Sequence, residues 1–350
     1  MTTDTSRRLK CAACGLLCML AAAASAPADS TQNYKKFIPK VHGVLRTFFE
    51  QSTATGDSRF IVQNARLNAS GYVMPWLNYF MQVDFCAMGK IKILDVYASV
   101  EPVAGLKLQL GQSKAPFSTQ SARAPHEYHF VTEPLTAAPS SIRSVGLRVN
   151  WTVPRTPIHL DGGIYNSTDM LDHNSWNRSL LYSARLWSRL PCGFQPSVGF
   201  MSRQPGGKGR GVRYNQADVT LSYFGSRLFL EGEYLYRHFT GHAHKATHIY
   251  SFMIDYGFPI EARMADRLSV QGRFDGMSDY STGFVSDEGM IVTNEPSHRR
   301  ATVGVTATKK VGVLLCSFLI NYEQYFYGHT SGAKTASNNN MLQAGVVVRF

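Results

Sequence analysis

The sequence has few cysteines, with 6 in 350 residues. Three lie within the first 18 residues, and the others are far apart: Cys86, Cys192 and Cys316. Single cysteines at such spacing suggest neither a disulfide framework nor a set of metal ligands. The sequence therefore predicts a fold that depends on neither.

Long apolar runs are also missing beyond the first 30 residues. The longest, VGVLLCSFLI, ends at Ile320 and is shorter than the roughly 20 residues that a membrane helix needs. This shortage excludes a membrane protein built of apolar helices.

The start of the chain is typical of an export signal. Arg7, Arg8 and Lys10 precede a short apolar segment that ends in small residues up to Ala28. We predict a signal peptide over 1–28, followed by a linker over 29–39. Cleavage after Ala26 is disfavoured by Pro27, and the cysteines lack the preceding residues of a lipoprotein signal. An exported chain without a helical anchor is either soluble or a β-barrel.

Acidic residues are scarce relative to basic ones. The formal net charge is +12, and it becomes +10 once the three basic residues and one acidic residue of 1–28 are removed. A basic excess predicts an anionic partner such as a membrane surface or an anionic solute. Nucleic acid is not expected, because the arginines are mostly single residues within strands and not clustered runs.

Alternation of apolar and polar residues is the dominant pattern from residue 40 to residue 350. It predicts sixteen strands of about 10 residues, the length that a tilted strand needs to cross a bilayer. The predicted ranges are 40–50, 59–70, 76–87, 90–101, 105–113, 143–153, 157–166, 178–190, 193–203, 212–225, 226–240, 246–258, 263–275, 298–309, 312–327 and 339–350.

The connections between these strands alternate in length. They are short after even-numbered strands and mostly long and polar after odd-numbered ones, with AMGK, after Cys86, as the exception. Short periplasmic turns and long outer loops are typical of barrels of the bacterial outer membrane. The sequence therefore predicts an all-β transmembrane antiparallel barrel in that membrane, in contact with its lipid and lipopolysaccharide.

The apolar faces of the strands support the same interpretation. On the fourth strand, apolar residues including Leu94 and Val96 alternate with polar ones including Asp95. Several apolar faces end in an aromatic residue, as expected for the girdles at lipid interfaces. These terminal aromatics are Trp151, Tyr223, Tyr236 and Phe350.

One hairpin carries an unusually long connection. Two alternating strands, GLKLQLGQ and RSVGLRVNW, flank about 30 residues that include Pro116, Pro125, Pro134 and Pro139. Prolines at these positions exclude a long helix or a strand, and loops of this length in compact structures are usually functional. We predict that this third outer loop folds into the mouth of the barrel.

The same region resembles the phosphate-selective porin O and P family. The resemblance is clear over about residues 40–170 and rests on LDVY around Asp95, on Arg143 with Gly146, and on a Gly-Gln-x-Lys-x-Pro-Phe pattern. The matching positions of that pattern are Gly111, Gln112, Lys114, Pro116 and Phe117. The chain departs from the family at Gln120, where members often carry Glu. The resemblance implies a sixteen-stranded trimeric diffusion porin whose third loop narrows the pore.

In a barrel this wide, selectivity comes from lumen charges and from the constriction. We predict an anion path at the constriction, because guanidinium groups bind carboxylate or phosphate in a bidentate manner. The alternative for any single arginine is a cross-strand ion pair that stiffens the wall. The predicted constriction residues are Lys107, Lys114, Arg123, Arg143 and Arg148, and the predicted lumen charges are Arg46, Arg66, Asp95, Arg185, Arg237 and Arg273.

Other functions have weaker signals. The histidines of HFTGHAHKATH and the acidic residues near Asp279 could hold a metal, but neither has a metal-site pattern. An enzyme is not expected, because Ser175 beside His173 is no catalytic triad. No cofactor is predicted. We expect passive diffusion of small anionic or neutral solutes, and the alternative is a surface adhesin or assembly scaffold built on a barrel.

Overall fold

A computed structural model describes residues 38–87, 89–168, 170, 176, 179–206, 211–286, 289–328 and 339–350. The predicted signal peptide over 1–28 and all but the last two residues of the predicted linker lie outside the described residues.

The described chain forms one closed barrel of antiparallel strands. Each strand pairs with its neighbours in sequence, and the first strand pairs with the last, so the sheet has no edge. The strands are β1 Lys40–Ser52, β2 Ser58–Met74, β3 Leu77–Ala87, β4 Lys90–Val103, β5 Leu106–Lys114, β6 Arg143–Thr152, β7 Ile158–Asn166, β8 Leu180–Ser188, β9 Phe194–Arg203, β10 Tyr214–Phe224, β11 Leu228–Phe239, β12 Thr247–Ala262, β13 Ala265–Met277, β14 His298–Val311, β15 Leu314–Tyr327 and β16 Met341–Arg349.

The predicted sixteen-stranded antiparallel barrel is confirmed, and the predicted strand ends differ from the observed ones by at most four residues. In the described part of the chain, helix is confined to four short pieces: Thr119–Ala122, Pro125–Glu127, Ala137–Ser140 and Thr240–His242. Among the described residues, no helix is both long enough and apolar enough to cross a membrane.

The connections sort into two ends of the barrel. Seven connections of two to five residues lie at one end, which we call the short-turn end. The start of β1 at Lys40 and the end of β16 at Arg349 lie at the same end. The other end, the long-loop end, holds the remaining connections. The longest is loop 3, residues 115–142, between β5 and β6. Two connections at the long-loop end are as short as the turns at the other end: the five residues between β1 and β2 and the two residues between β3 and β4.

The barrel is apolar outside and polar inside. On β11, Leu230, Tyr234 and Tyr236 are 37–44% exposed, whereas the alternate residues Glu231 and Glu233 are 4% exposed. This arrangement reverses that of a water-soluble protein. An apolar band around a polar interior is the surface that a barrel presents to lipid.

Leu94 departs from the predicted alternation. It was expected on the apolar exterior with Val96, but it is only 3% exposed, whereas Val96 is 41% exposed. The pairing of β3 with β4 shifts register at this point, so that Gln82 faces Asp95 but Val83 faces Ile93. An extra residue in one strand changes which side chain points outward.

Loop 3 enters the barrel and packs on apolar side chains that point inward. Ala115, Phe117 and Ile142, at the two ends of the loop, form a buried cluster with wall residues. Those wall residues include Tyr165 on β7, Leu181 on β8, Met201 on β9, Leu235 on β11 and Ile249 on β12. A patch of apolar residues at inward positions therefore gives loop 3 a small core inside a polar lumen.

Candidate functional site

The β5–β6 hairpin sets the place where loop 3 leaves the wall. Lys114 and Arg143 are opposite each other at the last pair of the hairpin. Three residues earlier, Gly111 pairs with Gly146, where a Cβ would lie 2.6 Å from both the Cα and the ring of Tyr165. Glycine at 146 thus lets Tyr165 pack across the hairpin toward Ser113, whose hydroxyl is 3.5 Å from the tyrosine oxygen.

Three arginines on the wall hold the tip of loop 3 by its backbone. Arg46 on β1 donates to the carbonyl of Val131 at 2.8 Å. Arg273 on β13 donates to that of Thr132 at 2.8 Å, and Arg300 on β14 to that of Glu133 at 2.7 Å. Three consecutive carbonyls of the loop are therefore bound by three different strands.

The first half of loop 3 is tied to β11. Arg123 makes a bidentate ion pair with Glu231, with N–O distances of 2.8 and 2.6 Å. Gln120 also donates to Glu231, at 3.0 Å. Burial disfavours the charged form of Arg123, but attraction to Glu231 outweighs burial, and the pKa of Arg123 is raised above its ordinary value.

Further contacts follow the loop around the same side of the lumen. Thr119 accepts a hydrogen bond from Arg185 on β8 at 3.1 Å. His129 Nδ1 lies 2.6 Å from Asp255 Oδ2 on β12. Thr136 donates to Glu233 on β11. Loop 3 therefore lies along one side of the barrel, which we call the covered wall: the lumen faces of β8–β16 and β1.

Charged residues of the covered wall are withdrawn from solvent. Arg273 and Arg300 share the carboxylates of Asp275 and Glu323 at 2.7–3.7 Å, and all four side chains are at most 2% exposed. Arginines with two carboxylates and a loop carbonyl as partners serve to hold the loop, since buried charges require such pairing.

The opposite side of the lumen, β2–β7, has ion pairs that solvent reaches; we call it the open wall. Arg66 pairs with Asp84 at 2.9 Å, Arg143 with Asp95 at 3.1 Å, and Arg148 with an oxygen of Asp161 at 3.5 Å. The three arginine side chains are 12–22% exposed. Water can therefore reach the lumen on this side. We call the space between loop 3 and the open wall the gap.

Lys107 and Lys114 on the open wall make no ion pair within 4.0 Å with a carboxylate of the described residues. Lys114 Nζ donates to the carbonyl of Arg123 at 3.0 Å. Lys107 Nζ lies 5.7 Å from the centre of the Tyr97 ring. Because no carboxylate neutralises it at contact distance, Lys107 adds positive charge to the lumen toward the short-turn end, and Lys114 places its ammonium group where loop 3 begins.

Loop 3 carries three titratable residues near its tip: His126, Glu127 and Glu133. Glu127 is exposed, and Glu133 makes no ion pair within 4.0 Å in the described part of the chain. Burial lowers the pKa of His126, which favours its neutral form. Loop 3 thus carries carboxylates without an ion partner in the described part of the chain, and the open wall carries lysines and paired arginines.

The structure separates the predicted constriction residues into three groups. Lys114, Arg143 and Arg148 lie together where loop 3 begins, with Arg148 Nη1 3.5 Å from the carbonyl of Lys114. Lys107 is seven residues nearer the short-turn end on β5, about 23 Å along the strand. Arg123 turns to the covered wall. A single cluster of all five residues is therefore not what the structure shows.

The predicted lumen charges all point inward, but most do not face the gap. Loop 3 and its neighbours bury four of them, whose exposure counted over the whole residue is 1–5%: Arg46, Arg185, Arg237 and Arg273. Arg66 and Asp95 remain at the open wall in ion pairs. For these residues the alternative of structural pairing describes the contacts better than a free cation does, and a role in permeation stays a prediction.

Sequence reasoning did not identify the contacts that decide which wall is covered. The inward apolar residues Leu181, Met201 and Leu235 break the expected polar pattern of the lumen face. Apolar residues at inward positions of several neighbouring strands are the signal that could have indicated where loop 3 packs.

No group of three or more histidine, cysteine or acidic side chains in the described part of the chain could hold a metal. Cys86, Cys192 and Cys316 are free thiols. Several residues of the weaker candidate sites lie outside the described residues: His173, Ser175, Asp287 and Glu288.

Comparisons with known proteins show the fold. No protein-family profile and no curated protein sequence matches the chain, so membership of the phosphate-selective porin family stays a prediction. Solved structures of bacterial outer-membrane proteins do match. OmpF of Salmonella typhi, in a complex with daunomycin, has a TM-score of 0.61 at 11% identity and covers 91% of this chain and 99% of its own.

Two further structures give the same result. A loop L8 deletion mutant of OmpT, an outer membrane protein of Vibrio cholerae, has a TM-score of 0.59 at 9% identity, over 89% of this chain and 98% of that one. The outer membrane channel DcaP of Acinetobacter baumannii has a TM-score of 0.56 at 11% identity, over 89% and 96%. The chain is therefore similar in fold to outer-membrane porins.

Proposed function

We propose that this chain is a porin of the bacterial outer membrane that lets small hydrophilic solutes diffuse passively. The observation that carries the proposal is the position of loop 3. Because the loop is tied to the covered wall, the ion pairs of the open wall remain in contact with solvent. Sixteen strands enclose a lumen too wide for side chains to fill.

The location rests on three supports. The exterior is an apolar band that needs lipid around it. The sequence predicts an export signal over 1–28. The similar structures described above are of outer-membrane proteins. We also propose a homotrimer, the form in which OmpT of Vibrio cholerae was solved after in-vitro folding.

The proposed selectivity is a modest preference for anions. Lys107 and Lys114 carry positive charge without a carboxylate partner, whereas the open-wall arginines are paired. Paired guanidinium groups have fewer donors available for a solute. We therefore propose that phosphate passes as one anion among others and that no dedicated phosphate site exists.

Conductance in planar lipid bilayers under a KCl gradient tests this function. The purified chain should form channels with a reversal potential of anion-selective sign, and Lys114→Glu should shift it toward cations. Lys310→Glu makes the same charge change on an exposed residue near the short-turn end and should leave the reversal potential unchanged.

A reversal potential of cation-selective sign in the wild type would refute the anion preference. If the chain inserts but never conducts, the porin function is wrong, and the adhesin or scaffold alternative is favoured.

A further inference from the structure

Two aromatic rings face the lumen from the open wall between the ion pairs and the short-turn end. Phe80 on β3 and Tyr97 on β4 are opposite each other in register. Their ring centres are 5.2 Å apart, with 18° between the ring planes. Both side chains are only partly buried. The pair therefore offers an apolar surface to whatever occupies the lumen.

Several other aromatic side chains in the lumen are covered, and the partly exposed Trp187 has partners of its own, because it donates to Asp161 at 3.2 Å and stacks on His159. Phe48, Phe130, Tyr165 and Phe229 are at most 7% exposed, because they pack with loop 3 or beneath it. Those rings have a packing role. Among the described residues, no segment of loop 3 packs over the Phe80–Tyr97 pair in the same manner, so the pair calls for a different explanation.

A cavity of about 460 Å³ opens beside this pair. Strand register places Lys40, Ser70, Phe80 and Tyr97 in one row across β1–β4, and all four line the cavity. Lys107 completes the lining from β5. The cavity lies within the range of small-molecule sites, about 300–1,000 Å³, and combines apolar surface with a few polar groups as such sites do.

The charge of the cavity is positive. Lys107 Nζ lies 5.7 Å from the Tyr97 ring centre, a cation–π geometry that leaves the other ammonium donors available. Lys40, at the start of β1, is exposed and lines the same cavity. The one carboxylate that lines the cavity, Glu101, accepts a hydrogen bond from the amide of Gly105 at 2.9 Å. The Glu101 carboxylate is thus hydrogen-bonded within the β4–β5 turn and makes no ion pair with Lys107.

From these observations we propose a solute-binding site at this cavity for organic anions with a flat apolar body and one carboxylate. The body lies against Phe80 and Tyr97, where apolar surface is removed from water. The carboxylate pairs with Lys107, and Lys40 adds long-range attraction. The site deepens the proposed porin function and rests on it, since the cavity must lie on the path of the solute.

The chemistry of the cavity distinguishes this class from other solutes. An inorganic anion is attracted by the lysines but has no apolar surface to pack against the two rings. An organic cation can pack against the two rings but is repelled by Lys107 and Lys40. Only a solute with both features uses both parts of the site.

Current block by benzoate is the test. Benzoate added on the side of the short-turn end should reduce the KCl current of the wild-type channel with a saturating dependence on concentration. Acetate, which lacks the ring, should need at least tenfold more for the same block. Phe80→Leu and Lys107→Gln should each raise the half-blocking concentration of benzoate by about fivefold or more.

Lys92→Gln is the matched control. Lys92 faces Asp84 in register on the lumen side of β4, outside the cavity, so its removal takes the same charge from the same wall. It should leave the benzoate block within about twofold of the wild type. Equal block by acetate and benzoate, or equal effects of Lys92→Gln and Lys107→Gln, would overturn the site and leave a general charge effect.

Equilibrium binding separates this inference from the porin function. Saturation-transfer NMR with benzoate and the detergent-solubilised chain detects binding without conduction. A conducting channel without block or saturation transfer would refute the binding site alone. A chain that binds benzoate but conducts nothing would retain the site and refute the porin function.

Discussion

At the scale of single residues, the lumen arginines show how a loop can be fixed inside a polar barrel. Each of Arg46, Arg273 and Arg300 donates to a different carbonyl of loop 3. A backbone carbonyl inside a lumen needs a donor, and a guanidinium supplies up to five N–H groups. Arg273 and Arg300 therefore bind loop 3 and the carboxylates of Asp275 and Glu323 together, whereas Arg46 binds loop 3 and the side chain of Asn64.

The Arg123–Glu231 pair gives a prediction at this scale. Glu231→Gln leaves a buried guanidinium without its charge partner, which costs about 3–5 kcal/mol when a buried pair is broken. The free energy of unfolding in urea should fall by an amount of this order. Arg123 stays charged up to pH 9 because its pKa is raised from a value already far above neutrality. The guanidinium at 2.6–2.8 Å keeps the Glu231 carboxylate ionised down to pH 5, so the loss should be constant across this range.

Glu101→Gln removes the same charge from an exposed position and should change the free energy of unfolding by no more than about 0.5 kcal/mol. If the two variants are equally stable, or if the loss at Glu231 disappears within that pH range, the pair does not anchor loop 3.

At the scale of elements, the close approach of loop 3 to β9 depends on one glycine. Gly199 points into the lumen, and a Cβ built there would lie 1.8 Å from the carbonyl oxygen of Phe117. No side chain fits between strand and loop at this point. The absence of a side chain on β9 thus sets how tightly the base of loop 3 lies against the covered wall.

Gly199→Ala should displace the base of loop 3 from β9 toward the open wall and lower the single-channel conductance. Overpacking of this kind also costs about 1–3 kcal/mol. Gly162→Ala is the control in β7, because its Cβ would lie 3.8 Å from the nearest atom, the carbonyl oxygen of Ser183. An unchanged conductance in Gly199→Ala would show that the loop does not depend on this contact.

The strands were predictable from the sequence because successive side chains of each strand face lipid and the aqueous lumen in turn, so that apolar and polar residues alternate. The short turns and the start of loop 3 at Lys114 followed from the same pattern. The bulge that buries Leu94 was not predictable, because an inserted residue does not interrupt a short apolar run. The path of loop 3 depends on contacts far apart in sequence, such as Arg123 with Glu231, which periodicity does not report.

At the scale of the whole molecule, the lumen has two unlike sides. On the covered wall, shared carboxylates and loop carbonyls leave Arg273 and Arg300 at most 2% exposed. On the open wall, Arg148 keeps 22% of its side chain exposed. A barrel with sixteen strands can hold a loop of this length and still leave a path beside it, because its lumen exceeds what one loop fills.

The inward direction of the charged residues was therefore predictable from the sequence, whereas their exposure to a solute was not. Inward direction follows from strand parity, and every predicted lumen residue does point inward. Exposure to a solute depends on which wall loop 3 covers, and that is a property of the assembled barrel. Arg185 and Arg66 both occupy inward positions of alternating strands, yet Arg185 contacts loop 3 and is buried, whereas Arg66 lies on the open wall beside the proposed solute path.

The most direct test of this account compares the accessibility of the two walls in an open channel. Ser70 on the open wall is partly exposed, and Ser251 on the covered wall is 5% exposed. Both become cysteine in a chain in which Cys86, Cys192 and Cys316 are serine. An anionic methanethiosulfonate reagent should reduce the current of Ser70→Cys at least tenfold faster than that of Ser251→Cys. Equal rates, or a faster reaction at Ser251→Cys, would contradict a path between loop 3 and the open wall.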